Sequence, residues 1–139
     1  MKKNIAVVGC GYWGKNLVRN FSELGALYSV SDVNSETANN YANQYKAKHL
    51  TFDETINDEN IEGVVLAVPA KHHASMANEA MKKGKHVFVE KPLALNETDA
   101  KLMIETANNN NVKLMVGHLL HYHPIFKEIK SIVENGQIG

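Results

Sequence analysis

The chain is nearly devoid of cysteine, with one thiol, Cys10, among 139 residues. A disulfide within the chain is therefore excluded, which suits a reducing compartment and makes the cytoplasm the expected location. Net charge is missing as well. Lys+Arg and Asp+Glu both number 15, so no overall field draws the protein to nucleic acid or to an anionic membrane, and neither is expected as a partner. Long apolar runs are absent: the longest, residues 64–68, is far too short to span a bilayer. The apolar run at 5–8 is too short for a signal sequence and meets glycines at once. Proline is scarce, at three residues, and no Pro/Ser-rich linker or internal repeat divides the chain.

What remains is an ordinary globular composition, 44% hydrophobic and 22% charged, at a length that fits one domain with its own core. Short apolar runs alternate with longer amphipathic ones. Strands are predicted at 5–8, 27–31, 49–52, 61–68, 86–89 and 113–116, the third a short edge strand. Helices are predicted at 12–24, 35–45, 72–83, 96–108 and 124–134. Gly25 and Gly84 follow two of the helices as stop signals. Asn96 and Asp99 are spaced like a capping box with Asp in the Glu position, and Pro124 stands near the first turn of the last helix. Strands separated by helices read as βαβ units. The expected fold is α/β, a Rossmann-type doubly wound parallel sheet of about six strands with helices on both faces. The runs at 64–68 and 87–89 are apolar on both faces, as strands covered from both sides should be.

Gly9-Cys10-Gly11-Tyr12-Trp13-Gly14 is a complete G-x-G-x-x-G. It follows a predicted strand and opens a predicted helix, the context in which this motif holds a dinucleotide. Gly9 permits the tight turn, Gly11 lets the backbone approach a pyrophosphate, and Gly14 allows close helix–strand packing. The helix N-terminus adds unpaired N–H groups and a partial positive charge. Tyr12 and Trp13, inside the loop, are counted with the glycines as cofactor contacts. The bland alternative is a glycine-rich turn without a ligand. Asp32 ends the second predicted strand, 18 positions after Gly14, where an acid hydrogen-bonds the adenosine ribose diol. A carboxylate there repels a 2′-phosphate, so NAD is the expected cofactor rather than NADP. Asp32 could equally serve the start of the following helix, and both roles are compatible.

Three further stretches follow predicted strands, where open parallel sheets bind their ligands. In Pro69-Ala70-Lys71-His72-His73, Pro69 and His73 are candidate cofactor contacts, against the plainer reading that both histidines are solvated in a first helical turn. Glu90-Lys91-Pro92 shares the rim with the glycine loop. Glu90 and Lys91 are candidate cofactor residues, and Lys91 is the candidate catalytic group, able to donate to a substrate hydroxyl. Elsewhere such a pair is only a surface ion pair. The stretch from Gly117 to Pro124 holds His118, His121 and His123. No Asp, Glu or Cys lies nearby at ligand spacing, so no metal is expected; the choice is between a polar pocket wall and plain loop histidines. Cys10 occupies a variable loop position with no base beside it and reads as a packing residue.

Taken together, the glycine loop, Asp32, Pro69 with His73, the run from Gly84 to Pro92, and Val116-Gly117-His118 with Tyr122-His123-Pro124 resemble the Gfo/Idh/MocA oxidoreductases over the whole chain. The Tyr-Trp pair in the loop and Leu-Leu-His-Tyr-His-Pro resemble members acting on nucleotide-linked sugars. The resemblance implies NAD(H)-linked hydride transfer to or from a sugar, nucleotide-sugar or cyclitol hydroxyl or ketone. It implies that Glu90 and Lys91 border the nicotinamide ribose and the substrate, and that the Lys91-Pro92 peptide is cis. Two positions depart from the pattern: His121 stands where many members carry Arg, and Val68 where Thr is frequent. Family members are more than twice as long. The expected organisation is therefore a dinucleotide-binding domain at 1–124 and, at 125–139, a helix leading to a second, substrate-binding domain outside this chain. That domain supplies the usual acid/base group and often the interface of a homo-oligomer. Competing readings are a non-catalytic NAD-binding regulatory module and an S-adenosylmethionine methyltransferase. The full third glycine and Glu90-Lys91-Pro92 argue against the latter.

Overall fold

The computed structural model describes residues 4–138. Six parallel strands run β1 Ile5–Val8, β2 Leu27–Ser31, β3 Lys48–His49, β4 Gly63–Leu66, β5 His86–Val89 and β6 Leu114–Val116. They pair in the order β3-β2-β1-β4-β5-β6. Chain direction across the sheet reverses between β1 and β4, which puts a crevice at their carboxyl ends. The helices are α1 Gly14–Glu23, α2 Ser35–Tyr45, α3 Phe52–Asn57, α4 His73–Lys82, α5 Glu97–Asn109 and α6 Pro124–Glu134. This is the doubly wound fold expected from the sequence.

Alternation along each strand builds two cores. Ala6, Val8, Val64, Leu66, Val87 and Val89 join the layer that contains Ala77 and Met81 of α4, Met103 of α5 and Ile56 of α3. Val7, Val30 and Val65 point the other way, toward Leu17 and Val18 of α1 and Ala42 of α2. Burial on both faces is why β1, β4 and β5 carry no polar side chain between them except His86, at the entry to β5.

Several other boundaries move by one or two residues, and two local departures have a clear physical cause. The third strand is Lys48–His49, not 49–52, because Thr51 and Glu54 form a full capping box that starts α3 at Phe52. The Thr51 hydroxyl receives the Glu54 amide at 3.2 Å, and a Glu54 carboxylate oxygen receives the Thr51 amide at 2.7 Å. At 96–99 the cap is half of such a box. Asn96 Oδ1 accepts the Asp99 amide at 2.8 Å, but the Asp99 carboxylate accepts the Asn96 side-chain amide at 2.7 Å instead of a backbone N–H. Aspartate is one methylene shorter than glutamate, and the side-chain amide meets it part way.

Candidate functional site: the crevice at the carboxyl ends of the strands

The strands hand over to the rim in register. One residue past each strand, the ladder still holds: the Gly9 amide donates to Ser31, Ala67 to Val8, Glu90 to Leu66 and Gly117 to Val89, all at 2.8–3.0 Å. The loops after β1, β4, β5 and β6 therefore leave the sheet from fixed points.

The glycine turn is set by sterics. Gly9 has φ +91°, and a Cβ there would stand 2.5 Å from the Ala67 carbonyl oxygen. A Cβ on Gly14 would stand 1.9 Å from the Gly9 carbonyl oxygen, so α1 rests directly on the turn. Gly11 differs: nothing lies within 4 Å of its Cβ position. No packing inside the chain demands glycine at 11. The main-chain amides of Gly11, Tyr12 and Trp13 make no hydrogen bond among the described residues, and α1 has no side-chain cap. Free amides at the positive end of a helix, beside the open face of Gly11, fit a pyrophosphate.

Asp32 stands beside this turn. One carboxylate oxygen accepts the Cys10 amide at 2.7 Å, the other the Asn34 amide at 2.9 Å. A carboxylate has about four acceptor directions, so room remains for a diol. The cap of α2 is Asn34, whose side chain accepts the Thr37 amide; Asp32 braces the loop ahead of it. Cys10 is buried, its thiol facing the Ser31 carbonyl at 3.7 Å. Burial above all, and then the Asp32 charge, push its pKa up to about 12. It stays a thiol and packs.

A cleft of about 1050 Å³ opens on the rim, lined by Tyr12 and Trp13 of the glycine loop, Ala67 and Val68 after β4, Glu90, Lys91 and Pro92 after β5, and residues 117–121 with Phe126. Glu90 is only 7% exposed. Its Oε1 accepts the Trp13 indole N–H at 2.7 Å, and Oε2 lies 3.3 Å from the Lys91 amide. A Cβ on Gly117 would stand 3.1 Å from both carboxylate oxygens and 3.0 Å from the Phe88 ring, so glycine is what lets the acid lie flat under β6. The Lys91-Pro92 peptide is cis.

The cleft thus gathers Tyr12, Trp13, Glu90 and Lys91, while Gly9, Gly11, Gly14 and Asp32 form the adjoining turn. Pro69 is exposed on the rim outside the cleft, starting a 3-10 turn at Ala70–His72. His73 is not among the residues lining the cleft. It is 1% exposed, with Nδ1 2.7 Å from the Pro92 carbonyl oxygen and Nε2 2.9 Å from that of Val68. As the first residue of α4 it sits behind the rim, its ring turned to the carbonyls of two loops.

From the sequence, His118 and His121 stay undecided, Gly117 has no role beyond its place in a motif, and Phe126 does not stand out. The structure places all four on the cleft. His121 packs edge-on against Phe126 at 5.1 Å, and His118 tilts toward His121 at 5.9 Å. His123 caps α6 through Nδ1, 3.3 Å from the Ile125 amide. The signal for Gly117 was present, a glycine directly after a strand; Phe126 gave none. Among the described residues no three His, Cys, Asp or Glu cluster as metal ligands, and no helix is long and apolar enough to cross a membrane.

Residues 3–118 match the model of an oxidoreductase family with an NAD-binding Rossmann fold. A myo-inositol 2-dehydrogenase of Thermotoga maritima is 33% identical over 139 residues, covering 97% of this chain and 42% of that protein. Among solved structures, a UDP-N-acetylglucosamine 3-dehydrogenase of Acidithiobacillus ferrooxidans superposes with a TM-score of 0.86 at 25% identity, over 92% of this chain and 42% of that one. A scyllo-inositol dehydrogenase of Lactobacillus casei, solved with NAD(H) and scyllo-inositol, shares the fold at a TM-score of 0.90 and 23% identity, over 100% of this chain and 43% of that one. The chain spans about two fifths of the length of these relatives.

Proposed function

Because the chain belongs to the Gfo/Idh/MocA oxidoreductases, as their NAD-binding Rossmann domain, we propose that it holds NAD(H) along the rim for hydride exchange with a sugar, nucleotide-sugar or cyclitol. The observation that carries this reading is the open face of Gly11 beside free amides, with Asp32 braced next to it. The diphosphate lies on the turn, Asp32 grips the adenosine ribose diol and disfavours a 2′-phosphate, and the nicotinamide end reaches the cleft. NAD⁺ supplies the hydride acceptor when bound. The residues of this chain bind and orient. Lys91, exposed on the cleft, has an ammonium group that makes no hydrogen bond among the described residues. It donates to the reacting oxygen and steadies the charge that develops there.

The substrate side is incomplete within this chain. Ile125, Ile129 and Val133 of α6 are exposed, together with Leu119 and Leu120 ahead of it. A contiguous apolar surface of this kind asks for cover. We place a second, substrate-binding domain against it, and the homo-oligomer interface in that domain. The lone buried thiol suits the reducing cytoplasm.

Titrating the protein with NADH tests the reading directly, since Trp13 is the single tryptophan and transfers excitation energy to a bound dihydronicotinamide. Saturable quenching is expected. Gly11→Val should raise the Kd by roughly thirtyfold or more, about 2 kcal/mol, by filling the space a diphosphate needs. Equal affinity for both proteins, or binding of S-adenosylmethionine in place of NADH, would overturn the assignment.

A further inference from the structure

The Trp13–Glu90 hydrogen bond joins two residues 77 positions apart across the mouth of the cleft. An indole N–H can only donate, and against a carboxylate it makes the stronger, charge-assisted kind of bond. Trp13 is otherwise 43% exposed, so this one bond fixes where its ring stands. Glu90 pairs with no cation among the described residues; Trp13 and the Lys91 amide are its partners.

The second carboxylate oxygen of Glu90 receives the main-chain amide of Lys91. From behind, His73 ties the carbonyl of Pro92 to that of Val68. Gly117, without a Cβ, leaves the space that the carboxylate occupies. The backbone of Lys91 is thus held on both sides, and only its side chain is free. The one contact in this frame that comes from the phosphate-binding turn is Trp13.

We propose that Trp13 is a positioning residue for Lys91, acting through the Glu90 carboxylate, so that filling the glycine turn also orders Lys91 over the cleft. This rests on the NAD(H) reading above and adds to it a link between cofactor seating and the substrate-facing lysine.

The link is tested on the 139-residue protein by measuring how fast an amine-reactive acylating reagent labels Lys91, by peptide mass spectrometry. Rates are taken without NADH and at an NADH concentration that saturates each variant by its own titration. The exposed Lys71 and Lys113 serve as internal standards. NADH should change the Lys91 rate at least threefold in the unmodified protein. Glu90→Gln keeps an oxygen that accepts from the indole but sets its NH2 group against the Lys91 N–H, so it should keep the indole bond and lose most of that response. Trp13→Phe, Glu90→Leu and the double variant should lose it to the same extent, because each cuts the path from the turn through Glu90 to the Lys91 amide. The single indole N–H resonance gives a second readout: shifted downfield in the unmodified protein and in Glu90→Gln, and moved to the position of a water-exposed indole in Glu90→Leu. Should Glu90→Leu fail to fold, Trp13→Phe decides, since its ring is half exposed. If NADH binds but Trp13→Phe shows the unmodified Lys91 response, or the two single losses add, the proposal is wrong and the cofactor assignment stands. If NADH binds none of these proteins, the cofactor assignment itself has failed.

Discussion

The two ends of β5 each carry a lysine, and their surroundings are opposite. Lys85, at the amino end, is 8% exposed, and its ammonium donates to the carbonyls of Asp58 and Ile61 at 2.8 Å each. It ties the end of α3 to the entry of β4, with two of its three donors committed within the fold. Lys91, at the carboxyl end, is exposed on the cleft with its ammonium uncommitted among the described residues. The glycines divide the same way. Gly14 is glycine because the chain itself presses on it, Gly11 although nothing in the chain does. A group that the fold has used up holds the structure together. A group whose environment is built but whose partner lies outside the chain marks where a ligand belongs.

That contrast can be broken at several points. Gly14→Ala should have the largest effect. Its Cβ would stand 1.9 Å from the Gly9 carbonyl oxygen, and α1 must move off the turn at a cost of about 3 kcal/mol, read as a lower denaturant midpoint. Gly11→Ala, one turn away, should change stability by less than about 1 kcal/mol while weakening NADH. Similar losses of stability at both sites would erase the distinction between them. Next comes the lysine pair. Lys85→Met strands two carbonyls and should cost about 2–3 kcal/mol, with NADH affinity unchanged in the folded fraction. Lys91→Met should stay within about 0.5 kcal/mol of the unmodified protein and abolish turnover once a substrate domain is present. A reversal of that order would refute the division.

The smallest effect lies in the α3 cap, far from the cleft. Hydrogen bonds from the Thr51 amide and hydroxyl hold Glu54 below the usual carboxylate range. A pKa depressed by folding means that ionised Glu54 favours the folded state. That contribution is complete above the unfolded pKa and is lost as pH falls through the folded one. The stability gap between the unmodified protein and Glu54→Gln should therefore be full at neutral pH and close in acid. A gap that persists unchanged in acid would place the effect elsewhere.

Much of this was legible in advance because it is local. The strand at 5–8, the second strand at 27–31, the helix at 35–45 and the last helix at 124–134 were bounded as observed, since apolar period, stop glycines and caps act within a turn or two. The short α3 was hidden. Six residues show too little of a helical period, and Thr51 with Glu54 had to be recognised as a cap for Phe52 to be read as helix and not strand. The position of His73 was hidden for a different reason. Its neighbours in sequence say that it follows a strand at the rim, but not that its ring turns inward to the carbonyls of Val68 and Pro92.

Residue order alone settled the class of fold, the turn that carries the free amides and the acid that closes the adjoining strand, because glycine conformation and hydrophobic alternation are properties of short segments. Folding decided which of the rim residues face one another. Trp13 meets Glu90, Gly117 makes room for that carboxylate, and Phe126 walls the cleft, since such partners come together only when strands far apart in the chain are laid side by side in one sheet.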